Sequence, residues 1–157
     1  MSKTEISDEY ILGLVEGEGT FTFSSSNISG KKRKVPAFSI KMHFRDRRLI
    51  EEVRDKLGLK NRVYVYDHKG HDGAKRSPQA MLIVREFGSI KNVIIPFFYK
   101  KLRGNKAIQF EDWLERIGHD PDVPTSFRLI YRMYKSGFYG KNSNLRLWKS
   151  KMNKQHS

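Results

Sequence analysis

Ile11-Leu12-Gly13-Leu14-Val15-Glu16-Gly17-Glu18-Gly19-Thr20-Phe21 is the stretch on which the reading of this chain turns. Ser7 can cap a helix, with Asp8 and Glu9 in its first turn, where carboxylates complement the helix dipole. The run Tyr10 to Gly17 continues that helix, and Gly17 and Gly19 end it. Gly13 and Gly17 share a face. A glycine inside a helix costs roughly 0.5–1 kcal/mol relative to alanine, so a bare stripe makes sense where another backbone approaches closely. Glu16 and Glu18 sit at the helix end, beside its partly negative carbonyls, at a cost of a few tenths to ~1 kcal/mol each. A hard divalent cation with oxygen ligands would offset this. By spacing alone the plainer reading is the stronger one: a helix ending in solvated acids with glycine caps, since short motifs have many chance matches.

Outward from this stretch the periodicities give an element order. Thr20 to Ser24 alternates as a half-buried strand does, and Asn27 to Lys34 reads as a polar turn containing Gly30. In the second strand Phe38, Ile40, Met42 and Phe44 share one face, while Ser39, Lys41 and His43 share the other. Asp46 caps a second helix with the stripe Leu49, Ile50, Val53 and Leu57, stopped by Gly58. A third strand runs from Arg62 to Asp67, with Val63 and Val65 on one face and Arg62, Tyr64 and Tyr66 on the other. A turn at Gly70-His71-Asp72-Gly73 leads to a fourth strand, Gln79 to Glu86. Ser89 to Phe98 reads as a short helix interrupted at Pro96. Ala107, Phe110, Leu114 and Ile117 stripe another helix, ending at Gly118. Thr125 or Ser126 caps a last one, with Phe127, Ile130, Tyr131 and Tyr134 on one side and Gly137 as its stop. This order predicts one α+β domain over residues 1–140 with a four-stranded antiparallel sheet, followed by a basic tail over 141–157.

The 157 residues fit one ordinary domain able to bury a core. Cysteine is absent, which excludes disulfides and cysteine-ligated zinc and agrees with a reducing compartment. No stretch approaches the ~20 apolar residues of a membrane helix, and Met1 to Glu5 lacks the apolar core of a secretory signal. The expectation is an intracellular protein without a membrane partner. Lys plus Arg number 31 against 17 Asp plus Glu, a formal charge of +14 that makes a polyanion the first partner to consider. The excess clusters at Lys31-Lys32-Arg33-Lys34, at Arg45, Arg47 and Arg48, at Lys100, Lys101, Arg103 and Lys106, and in the tail.

The quoted segment, followed by this element order, resembles the LAGLIDADG homing endonuclease family in the Glu-Gly-Glu-Gly form of its motif. The likeness covers most of residues 8–118. It implies the αββαββα fold of that family, with a curved four-stranded antiparallel sheet, here extended by extra C-terminal helices. In the family two motif helices pack face to face. A chain with one motif is therefore expected to act as a homodimer on near-palindromic double-stranded DNA. Leu12, Gly13, Glu16 and Gly17 would form that helix contact. Glu18 matches the acid that reaches the scissile phosphates and binds Mg²⁺ or another divalent metal ion, and Gly17 matches the residue whose carbonyl helps hold the metal. Glu16 matches the less critical acid. The resemblance also implies double-strand breaks with short 3′ overhangs by metal-dependent phosphodiester hydrolysis. Asp46 lies near a polar position that orients water in the family, and an N-cap role explains it equally well. Arg47 or Arg48 could match the family's basic residue at that helix start. Arg103 or Lys106 could match its site lysine, and nothing in the sequence decides between them.

One face of the strands carries Thr20, Thr22, Ser24, Ser39, Lys41, His43, Arg62, Tyr64, Tyr66, Gln79 and Arg85. An ordinary solvated sheet looks similar in outline, but acids are scarce on this one and donors abundant. A major groove admits a β-ribbon, and in the family the sheet reads DNA. Lys31, Lys32, Arg33 and Lys34 would contact phosphate from a hairpin tip. The five histidines (His43, His68, His71, His119 and His156) lack metal-ligand spacing. The alternatives are an intron RNA-binding maturase or a non-catalytic DNA-binding protein on the same scaffold, and, outside the family, a basic ribosomal-type RNA binder. The acids at the helix end favour the nuclease over the second, and the glycine face favours the family over the third.

Overall fold

The computed structural model describes residues 4–67 and 77–141. The expected turn at 70–73, His68, His71, His156 and the tail from 142 lie outside the described residues.

Helix α1 (Asp8–Glu18) begins as its sequence demands: the Ser7 hydroxyl accepts a hydrogen bond from the Tyr10 N–H at 3.1 Å. Strand β1 (Gly19–Ile28) follows without a loop. A Cβ at Gly19 would lie 2.6 Å from Val15 Cγ1 and 2.9 Å from the Val15 carbonyl oxygen, so this abrupt join admits only glycine. β1 pairs antiparallel with β2 (Lys31–His43), from Gly19 opposite Ile40 to Ile28 opposite Lys31. The expected turn over Asn27–Lys34 thus shrinks to Ser29 and Gly30, with φ of 52° and 80°. Two successive positive φ values make the mirror-image turn that matches strand twist. The polar residues around it remain in the ladder because their side chains stand in solvent while their backbones pair.

β4 (Gln79–Val84) pairs with β2 on one side and with β3 (Tyr64–Tyr66) on the other, giving an antiparallel four-stranded sheet of order β1-β2-β4-β3. The α+β reading and the element order hold. β3 is shorter than expected: Val63 is buried just before it, whereas Val65 is exposed on the edge strand. Phe44 does not join the apolar face of β2. The chain turns there into a 3-10 turn (Phe44–Asp46), leaving the ring 45% exposed. Asp46 precedes α2 (Arg47–Lys56) as its N-cap, but its side chain makes no capping hydrogen bond. Gly58, at φ 75°, follows the end of that helix.

The helical run after β4 starts earlier than expected and is continuous: α3 (Phe87–Ser89), a π turn (Ile90–Ile94) and α4 (Ile95–Phe98). The Ile95 N–H donates to the Ile90 carbonyl, and the wider turn admits Pro96, which has no N–H to place. α5 (Gly104–His119) extends one residue past Gly118. A 3-10 turn (Thr125–Phe127) leads to α6 (Arg128–Lys135), whose N-cap is Phe127 rather than Thr125 or Ser126. A further short helix, α7 (Phe138–Lys141), is not signalled by periodicity. It is anchored by the buried Tyr139, whose hydroxyl donates to the Lys91 carbonyl at 3.1 Å.

All these helices share the core on one side of the sheet. Phe38, Ile40, Ala80, Leu82 and Val84 of the sheet are buried with Ile50, Val53, Ile94, Phe98, Phe110 and Leu114 of the helices. Phe21 is the hub, with ring centroids 5.3 Å from Phe38, 5.5 Å from Phe98, 4.8 Å from Phe110 and 5.3 Å from Trp113. Among the described residues no helix is long and apolar enough to cross a membrane.

Candidate active site and nucleic-acid face

α1 buries Ile11 and Val15 and turns Gly13 and Gly17 outward. A Cβ at either glycine would meet nothing within 4 Å, so the bare stripe is an open surface of the single chain. Leu12 is partly buried against the core beside it. Glu18, the last residue of the helix, is exposed, and its carboxylate has no hydrogen-bond or ion-pair partner among the described residues. Glu16 differs: its carboxylate accepts the backbone N–H of Arg103, the N-cap of α5, at 2.8 Å.

The start of α5 also supplies the positive charge that the end of α1 calls for. The Lys106 ammonium donates to the Gly19 carbonyl and, at 3.2 Å, to Gln109 Oε1. Gln109 Oε1 in turn accepts the Phe21 N–H at 3.2 Å. Of the two basic candidates, then, Lys106 places its ammonium at the residue following Glu18, while Arg103 enters through its backbone. Sequence reading missed Gln109 and Trp113. The indole N–H of Trp113 donates to the Thr22 carbonyl at 2.7 Å. With Gln109 it satisfies backbone groups of β1, which stands at the sheet edge. Their i, i+4 spacing on α5 was the available signal.

The register places the other candidates at the same end of the sheet. Gly19 pairs with Ile40, so Lys41 to His43 project past the start of β1 and lead into Asp46, Arg47 and Arg48. His43 Nδ1 accepts the Arg45 N–H at 3.1 Å, and Arg47 Nε lies 3.5 Å from Glu51. Asp46 is half-buried and Arg48 exposed. Glu18 brings one free carboxylate, a hard donor suited to Mg²⁺. Among the described residues no three His, Cys, Asp or Glu side chains gather to hold an ion.

The pairing puts Thr20 beside Ser39, Lys41 between Met81 and the strand edge, and His43 beside Gln79 and then Tyr66, all on the face away from the helices. Arg85 Nη1 reaches Ser24 Oγ at 3.3 Å, and the Tyr66 hydroxyl reaches Gln79 Oε1 at 3.4 Å. Arg62 lies 5.5 Å from the centroid of the exposed Tyr64 ring. Thr22 shares this orientation. Lys31 and Lys32 stand exposed next to the turn. Lys34 instead follows the parity of Phe38 and Ile40 toward the helices, where its ammonium meets Asp120 at 3.3 Å and Asp122 at 3.9 Å. Arg33 reaches the Pro121 carbonyl at 3.4 Å. The Asp122 N–H, Lys34 and Arg116 hold the Asp120 carboxyl below its ordinary pKa, against the opposing effect of burial.

A sequence profile of the LAGLIDADG endonuclease family matches residues 11–117. No curated protein sequence matches significantly. Among solved structures, the I-LtrWI LAGLIDADG homing endonuclease bound to target DNA is 27% identical, with a TM-score of 0.58, over 87% of this chain and 39% of that one. The homing endonuclease I-TnaI is 21% identical, with a TM-score of 0.55, over 93% and 86%. The LAGLIDADG meganuclease I-CpaMI bound to uncleaved DNA is 19% identical, with a TM-score of 0.60, over 98% and 45%. The last two likenesses concern the fold alone. The chain spans less than half the length of I-LtrWI and of I-CpaMI and most of I-TnaI.

Proposed function

The chain belongs to the LAGLIDADG endonuclease family, and on that premise we propose that it is a site-specific homing endonuclease. Two copies join through α1 and make a double-strand break in a long, near-palindromic DNA target by metal-dependent phosphodiester hydrolysis. The observation that carries this reading is the placement of Glu18, an exposed carboxylate without a partner among the described residues, at the end of a helix whose adjoining stripe, Gly13 and Gly17, lies open. Packing α1 on a second α1 along that stripe brings a Glu18 from each copy to a common axis.

Glu18 and the Gly17 carbonyl would hold a divalent ion such as Mg²⁺. When bound, such an ion polarises the phosphate, activates water and stabilises the leaving oxygen. The chain's own groups bind and orient. Lys106 holds the Gly19 carbonyl and so fixes the backbone next to Glu18. Lys41, Arg48 and Arg103 carry charge around the same end of the sheet to meet phosphates, with Arg47 beside them on its Glu51 pair and Asp46 at the head of α2. The sheet face from Thr20 and Ser39 to Gln79 and Arg85 lies against the major groove. I-LtrWI, the solved relative with 27% identity, is bound to target DNA, which supports that choice of polyanion.

The deciding experiment compares the parent chain with Glu18→Gln on a cognate duplex obtained by selection. Cleavage in Mg²⁺ is expected to be lost, while duplex binding in Ca²⁺ stays within a few-fold. Unchanged cutting by the variant removes Glu18 from the mechanism, and absence of duplex binding by the parent removes the endonuclease reading.

A further inference from the structure

Gln79, Met81, Ile83 and Arg85 alternate onto the face of the sheet away from the helices, while Ala80, Leu82 and Val84 are buried beneath it. Gln79 and Arg85 are the polar groups such a face calls for. Met81 and Ile83 are apolar, half-buried and central. Met81 stands between Lys41 and Tyr64, and Ile83 stands beside Ser39, with Thr20 beyond it. Apolar surface left in water is unfavourable, so two such side chains in the middle of a reading face call for an apolar group on the partner.

The charge of the face defines that partner. No residue of β1 to β4 with this orientation is acidic, Lys41, Arg62 and Arg85 lie on or beside it, and the chain carries +14. A polyanion with apolar groups along its groove is duplex DNA, and in the major groove that apolar group is the C5-methyl of thymine. The spacing also fits. Alternate residues on a strand lie ~6.7 Å apart, about two base-pair rises.

We propose that Met81 and Ile83 are specificity-determining residues that each receive a thymine methyl, at two positions about two base pairs apart in each half-site. This rests on the reading of the sheet as the DNA-binding face, and it adds which base chemistry the centre of that face selects.

The test is selection of binding sites by the full chain from a randomised duplex pool in Ca²⁺. Recovered half-sites are expected to hold thymine at two positions about two base pairs apart. Replacing either thymine with deoxyuridine, which removes only the methyl, should weaken binding about four-fold. Met81→Ala and Ile83→Ala should each erase that discrimination at one position and keep it at the other. A merely structural role would weaken thymine and deoxyuridine duplexes equally and would overturn the proposal. So would an enriched site indifferent to deoxyuridine, an outcome that leaves DNA reading intact. If no sequence is enriched, the DNA-reading premise falls and this inference falls with it.

Discussion

The Glu16 carboxylate accepts the backbone N–H of Arg103 across 87 residues of chain, at 2.8 Å. The same charge that is unfavourable beside the C-terminal carbonyls of α1 is favourable at the N-terminus of α5, where amide donors lack partners. Two acids in one motif thus have different work: Glu16 joins helices, while Glu18 has no partner among the described residues.

Substitutions should separate these roles. Glu16→Ala is expected to lower stability by about 1 kcal/mol, the usual cost of losing a helix cap. Glu16→Gln keeps an oxygen acceptor and should recover most of that loss. Cleavage by either variant should fall no further than its folded fraction. Glu18→Gln should leave stability within about 0.5 kcal/mol and remove cleavage. Denaturant unfolding together with a cleavage assay checks both, and loss of cutting by a fully folded Glu16→Gln protein would contradict the division.

A pH response follows from the loop between α5 and α6. Asp120 receives the Asp122 N–H at 2.9 Å, Lys34 at 3.3 Å and Arg116 at 3.6 Å. Its folded pKa is lowered from the ordinary 3.8. A lowered folded pKa means that the carboxylate contributes stability fully above the unfolded value, and that this stability is lost as pH falls through the folded one. Asp120→Asn should therefore destabilise the protein near pH 7 and much less near pH 2, flattening the acid limb of a stability profile measured by urea unfolding. Equal destabilisation at both pH values would mean that the ion pairs with Lys34 and Arg116 contribute nothing.

Trp113 ties α5 to the edge strand through its indole N–H and the Thr22 carbonyl, 2.7 Å apart. Trp113→Phe keeps most of the ring packing against Phe21 and Phe110 but leaves that acceptor without its donor. The expected loss is about 1–3 kcal/mol, read by thermal or denaturant unfolding. A loss no larger than about 0.5 kcal/mol would show that water or another group replaces the indole.

Which features could be read from the sequence follows from the distance over which they act. α1 was legible because its signals are local: Ser7 at the cap, Asp8 and Glu9 in the first turn, glycines at the end. The alternation in β2 and β4 and the stripe of α2 were legible for the same reason. The partners of Glu16 and Lys34 were not, since Arg103 and Asp120 lie 87 and 86 residues away. Nor was the two-residue turn at Ser29 and Gly30, because a ladder of exposed lysines and serines has the composition of a loop. The Lys106–Gln109 contact at Gly19 also needed the fold, which alone brings the start of α5 to the end of α1.

Gly13 offers the sharpest test of assembly, because one substitution should act on the single chain and on the pair with opposite signs. A Cβ at Gly13 meets nothing within 4 Å and the residue is exposed, so a side chain placed there by Gly13→Leu starts from an open face of one copy. Leucine also favours helix over glycine by roughly 0.5–1 kcal/mol, so the isolated fold should hold or gain stability. If two α1 helices pack along the glycine stripe, the same side chain stands between their backbones and drives them apart. Sedimentation of the parent chain should give a dimer and that of Gly13→Leu a monomer, with unfolding at high dilution at least as resistant to denaturant. Cleavage of both strands of the target should be lost with the dimer. A Gly13→Leu protein that still sediments as a dimer and cuts both strands would place the contact between copies elsewhere than α1.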